Sequence, residues 1–225
     1  TTMDDRRGER WAVLGGVVFV LADVAVAVLG GEPPAGDAGA VEVARYLQDH
    51  GAAIQAGLGL FGLASVALMW WMGPLWRRMV RTEGGAARLA VVSLLGLGVA
   101  GALSLASAAV SAAAEARVDQ IGDEVVVFHS LAVLLLAASG FGVAAHLLST
   151  SVLGARTRTL PTWVVVIGVV AALGFLGSAV AGVVTAGGAA DVVGAAGFGL
   201  WCVWILAVSV VMWRELGRPG EVDAG

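Results

Sequence analysis

The sequence predicts an all-α membrane protein: a single integral domain, residues 1–225, built as a bundle of six transmembrane helices with both ends cytoplasmic. Three observations carry this prediction. The chain is 59% hydrophobic and 13% charged, against about 25% charged residues in an ordinary soluble domain, and its mean hydropathy is +0.90. Its apolar residues gather into six runs near the ~20 residues a helix needs to cross ~30 Å of hydrocarbon. Its basic residues, all thirteen of them arginine, fall almost entirely on one side of those runs.

The first run, 11–29, follows Arg6, Arg7 and Arg10. It is long for the apolar core of a secretory signal and lacks a small-x-small cleavage site, so it reads as a span. A loop with Gly30, Gly31, Pro33, Pro34 and Gly36 follows, and Val43, Tyr46 and Leu47 within 39–50 suggest a short interfacial helix. The second span, 52–72, is expected to close at Gly73-Pro74, and a basic turn carries Arg77, Arg78, Arg81 and Arg88. The third, 89–114, leaves into an acidic loop with Glu115, Asp119, Asp123 and Glu124. The fourth is 125–148, and its exit carries Arg156 and Arg158. Leu160-Pro161-Thr162-Trp163 opens the fifth, 161–186, with proline in a first turn where its missing N–H costs nothing. A minimal turn through Gly187-Gly188 and Asp191 leads to the sixth, 192–213.

Charge fixes the expected orientation. With the N-terminus inside, only Arg45 and Arg117 lie outside, which satisfies the positive-inside rule. Trp11, Trp70, Trp71, Trp76, Trp163 and Trp213 fall near the inner boundary as an aromatic belt, while Trp201 and Trp204 lie deeper, as packing residues. The outer loops are acidic, which suits either plain solvation or a cation-attracting vestibule. Abundant glycines predict closely packed helices.

The third span carries a polar stripe. Ser93, Ser104, Ser107, Ser111 and Glu115 stand at spacings of 11, 3, 4 and 4, on one helical face. Ser93 and Ser104 read as residues that bond their own helix and ease packing. Asp23 is the only carboxylate placed well inside a span, and its face includes Gly16 and Gly30, so it should point into the bundle. An intramembrane carboxylate is a functional candidate by default. His129 lies about 8 Å below the outer boundary by helical rise and can donate and accept a proton. With Gln55 at the outer end of the second span, these groups predict a polar layer in the outer leaflet. Asp23, Glu115 and His129 are the expected catalytic acid–base groups, and Gln55, Ser107 and Ser111 the expected substrate contacts.

Several chemistries are excluded or unsupported. Without lysine there is no Schiff-base chemistry. The lone Cys202 allows no intrachain disulfide or CxxC pair. His129 and His146 stand at opposite ends of one helix and cannot jointly hold a haem. His50, His129 and the 115–124 acids lack recognisable metal-ligand spacing, so no metal and no other cofactor is expected. No nucleotide loop or hydrolase motif occurs, and the arginines are explained by topology rather than nucleic acid.

The loop and helix after the first span, the run Gly73-Pro74-Leu75-Trp76-Arg77-Arg78 and the Leu160-Pro161-Thr162-Trp163 opening resemble six-span membrane proteins of high-GC actinobacteria. The resemblance implies a bacterial plasma membrane and brings no catalytic residues with it. Three functions fit. The first is an enzyme or binding protein for a lipophilic, isoprenoid- or lipid-like molecule. The second is a proton- or cation-coupled transporter coupled through Asp23, against which stands the scarcity of polar residues in the cytoplasmic half. The third is a bundle that assembles with a partner or with itself through small residues such as Gly194, Gly197 and Gly199.

Overall fold

A computed structural model describes residues 3–184 and 189–217, with side chains placed for 8–182 and 192–217. The Gly187-Gly188 turn, the Arg6, Arg7 and Asp191 side chains and Arg218 lie outside the described residues. The elements are α1 (Met3–Gly30), α2 (Ala40–Glu83), α3 (Arg88–Glu115), a short α4 (Val118–Ile121) running into one 3-10 turn, α5 (Val125–Thr157), α6 (Thr162–Val184) and α7 (Ala189–Leu216). Six of these are long and apolar enough to span a membrane, and no strand occurs among the described residues.

The helices close a ring. α1 packs along α2, α2 along α3, α3 along α5, α5 along α6, α6 along α7, and α7 returns to α1; α2 also reaches across to α5. The outward surface is apolar all round, with Trp11, Leu21, Leu63, Met69, Val99, Leu136, Leu173 and Val203 exposed. Such a surface suits lipid, and helices satisfy most of their backbone polar groups internally, as a lipid-exposed segment must.

Close approach depends on small residues. On the α3–α5 seam a Cβ on Gly96 would stand 2.7 Å from the Gly142 carbonyl oxygen, and one on Gly142 would stand 2.5 Å from that of Gly96. Each glycine seats the other helix's backbone. Dispersion over that shared surface replaces the hydrophobic drive that lipid cannot supply.

Three expectations change. Residues 40–50 are the first turns of a continuous α2, not a separate interfacial helix. Val43 and Leu47 are buried there, in a cluster at the acidic end with Ala38, Ala114 and Val125. Gly73-Pro74 does not end α2, which runs on to Glu83. A proline removes one helical N–H bond, and a helix braced by neighbours continues past it. The tryptophans also divide. Trp11, Trp70 and Trp163 are exposed as a belt requires, but Trp71 is fully buried, while Trp201 and Trp204 are core residues as expected.

Candidate functional site

The expected outer-layer groups are found in separate seams. Gln55 on α2 donates through Nε2 to Glu115 Oε2 at 2.6 Å and to the Ala112 carbonyl at 2.9 Å. Glu115 can lie there because Gly51 has no Cβ in its way. Ser107 donates to the Ala132 carbonyl on α5 at 2.7 Å. His129 Nε2 lies 3.0 Å from the Ala35 carbonyl, pinning the loop between α1 and α2 to α5. Ser111 is partly buried and makes no hydrogen bond among the described residues. The stripe on α3 therefore faces protein, as its spacing predicts, and Ser107 and Glu115 in its C-terminal half are bonded within the bundle.

Asp23 stands apart from this layer. It is 6% exposed, as its small-residue face predicts. It looks toward α7, within electrostatic reach of Cys202, and its Oδ2 has no hydrogen-bond partner among the described residues. The structure brings Gln55 and Glu115 together but places Asp23 on another side of the ring.

A second polar layer lies in the arginine-rich half, and sequence reasoning missed it. His146 on α5 is completely buried. Its Nδ1 lies 2.8 Å from Ser93 Oγ and 3.2 Å from the Ser93 carbonyl. Ser93 Oγ is also 3.2 Å from Thr150 Oγ1, which donates to the His146 carbonyl at 2.9 Å. The carbonyl of Ser93 can only accept, so the proton assignment that satisfies it puts hydrogen on Nδ1 and leaves Nε2 as a bare acceptor. No group among the described residues bonds Nε2.

Aromatic rings enclose the imidazole. Trp204 stands edge-on with centroids 5.5 Å apart, and Trp71 at 6.4 Å. Trp71 Nε1 donates to Ser209 Oγ on α7 at 2.8 Å, and Ser209 donates in turn to the Ile205 carbonyl. Gly16 of α1 packs over the Trp71–Ser209 bond, and Gly168 of α6 packs against Trp204 and Ser151. All six spans thus meet at this layer. Ser93, read as a mere packing residue, is one of its anchors. The available signal was the run His146-Leu147-Leu148-Ser149-Thr150-Ser151, whose His146 and Thr150 stand one turn apart.

No group of three or more His, Cys, Asp or Glu side chains able to hold a metal occurs among the described residues. Among the described residues the groups buried in the spans that can exchange a proton include Asp23 and His146, and a carboxylate–amide pair, Glu115 and Gln55, lies at the acidic end. Comparison with protein-family models, with curated proteins and with solved structures found no match.

Proposed function

We propose that this integral membrane protein is a small proton-coupled cation transporter of a bacterial plasma membrane, with Asp23 as its coupling carboxyl and His146 as a second proton site. One observation carries the reading: two buried titratable side chains, each with an unpartnered atom, face the middle of the same helix. Asp23 lies within electrostatic reach of Cys202 on α7, and the His146 ring stands edge-on to Trp204 of the same helix, two residues or about 3 Å further along. An ionisable group held unpaired at that depth costs several kcal/mol, which favours a functional reason for keeping it. His146 and its partners also supply polar groups in the half where the sequence shows few. The acidic outer loops and the arginine-rich inner turns fit cation entry from outside.

Acid–base chemistry on a lipophilic molecule in the outer leaflet draws less support. Glu115, Ser107 and His129 are engaged by Gln55, Ala132 and Ala35. Assembly through the α7 glycines also draws less, because two of the three, Gly194 and Gly197, pack on Ser178 and Phe175 within the chain, and only Gly199 has nothing within 4 Å.

The test is cation-driven proton release in proteoliposomes. An ammonium gradient acidifies the lumen, a quenched acridine dye reports it, and Na+, K+, Ca2+ or tetraphenylphosphonium is added outside. Wild type should restore fluorescence with at least one cation, and Asp23→Asn should lose that response while remaining folded. No response to any of the four in wild type, or an undiminished one in Asp23→Asn, defeats the proposal.

A further inference from the structure

Between α1 and the far end of α2 an open groove of about 480 Å³ lies at the arginine-rich edge of the bundle, a volume within the range of ligand clefts. Its floor is small, because Gly73 and Gly8 carry no side chain and a Cβ on either would meet nothing within 4 Å. Its walls are of two kinds. Met69 and Trp70 are 64% and 69% exposed, on the lipid-facing surface. Glu9 and Arg77 form an ion pair at 2.8 Å, with Glu9 buried and the Arg77 side chain 56% exposed.

Pro74 adds a third feature. The helical partner of the Trp70 carbonyl would be the N–H of residue 74, and proline has none. Both residues line the groove. The cleft therefore offers a guanidinium with spare donors, a carboxylate and a main-chain acceptor released from its helix. These stand beside an apolar wall at the arginine-rich end of the spans, where basic residues and tryptophans ordinarily meet lipid headgroups.

We propose that this groove binds one phospholipid whose headgroup carries a primary ammonium. The phosphate takes the free donors of Arg77, the ammonium lies between Glu9 and the Trp70 carbonyl, and an acyl chain covers Met69 and Trp70. A water-soluble phosphate would leave that apolar wall uncovered, which is why the occupant is a lipid. A choline headgroup has no N–H to give the two acceptors, and an uncharged lipid has nothing for Arg77.

The full-length protein in detergent, titrated with phosphatidylethanolamine or phosphatidylcholine and read by native mass spectrometry, tests this. Wild type should retain one phosphatidylethanolamine about tenfold more tightly than phosphatidylcholine. Arg77→Gln should abolish the preference. Because Arg77→Gln strands the buried Glu9, a second variant protects the test. Gly73→Leu fills the floor without touching the ion pair, and should weaken retention at least about tenfold with lipid-free stability unchanged or raised. Equal retention of the two lipids by wild type, or undiminished retention by Gly73→Leu, overturns the proposal. Neither result bears on proton coupling through Asp23.

Discussion

At the scale of single residues, the serines of α3 are not equivalent. Ser93 is fully buried and bonds His146 and Thr150, whereas Ser111 bonds nothing among the described residues. Ser93→Ala should therefore destabilise the bundle by about 1 kcal/mol, the usual net worth of one buried hydrogen bond. Ser111→Ala should change stability by less than about 0.5 kcal/mol, because no hydrogen bond among the described residues is lost. Reversible unfolding in mixed micelles would measure both, and equal costs would contradict the geometry. The contrast also marks how far the residues could be read from sequence. That Asp23 points inward was legible, since its own helix carries the small residues that identify the packed face. The role of Ser93 was not. Its partners stand 53 and 57 positions away, and the spacing of one helix says nothing about which residues a neighbouring helix brings opposite. Ser93 and Ser107 share one stripe, yet one joins an imidazole and the other a main-chain carbonyl.

At the scale of elements, glycines divide into those that seat another backbone and those that face lipid. Gly142 and Gly98 are both mid-helix, where alanine ordinarily gains up to about 1 kcal/mol. At Gly98 a Cβ would meet nothing within 4 Å, so Gly98→Ala should realise that gain. At Gly142 it would stand 2.5 Å from the Gly96 oxygen and 2.8 Å from the Ala100 nitrogen, both main-chain atoms that cannot step aside. Gly142→Ala must then part α3 from α5, and should cost roughly 1–3 kcal/mol in the manner of other overpacked sites. Opposite signs for the two variants in the same unfolding assay are the expected result, and like signs would count against the seam. Composition predicted abundant close contacts without telling these glycines apart, because a glycine's own sequence neighbours do not report what lies across the seam. Helix ends were legible where charge and apolar run agreed, as at Arg88 and Glu115. They were misread where one residue was given too much weight. Gly73-Pro74 reads in the sequence as a stop, but one missing N–H cannot end a helix whose next turns hold the buried residues Leu75, Arg78 and Met79.

At the scale of the whole molecule, the six-span architecture was legible because lipid imposes it: a helix of the right length needs no partner to be recognised. The two faces of the bundle differ in chemistry as well as in charge. The arginine end is tied by side chains. Arg78 donates to Glu215 at 2.9 Å and to the Thr159 carbonyl, and Arg10 stacks on Trp213 at 4.6 Å. These contacts join α1, α2, α7 and the loop before α6, so Arg10 and Arg78, which count toward topology, also lock that end by contact. The acidic end is held instead by neutral and amide contacts, among them Gln48 to Asp119 at 3.0 Å and Tyr46 to the Gly30 carbonyl at 2.9 Å. If the positive-inside bias governs insertion, the arginine end faces the cytoplasm. The lone Cys202 is 7% exposed in the core, so the native chain provides a thiol that a membrane-impermeant maleimide cannot reach. Against that silent background, Asp119→Cys should label in intact cells. Arg158→Cys, in the turn after α5 with its backbone in the left-handed region at φ 55°, should label only after the membrane is opened. The reverse pattern would invert the bundle and place the Asp23 seam nearer the cytoplasm. Labelling at both sites in intact cells would mean mixed insertion, which an arginine split this lopsided should not allow.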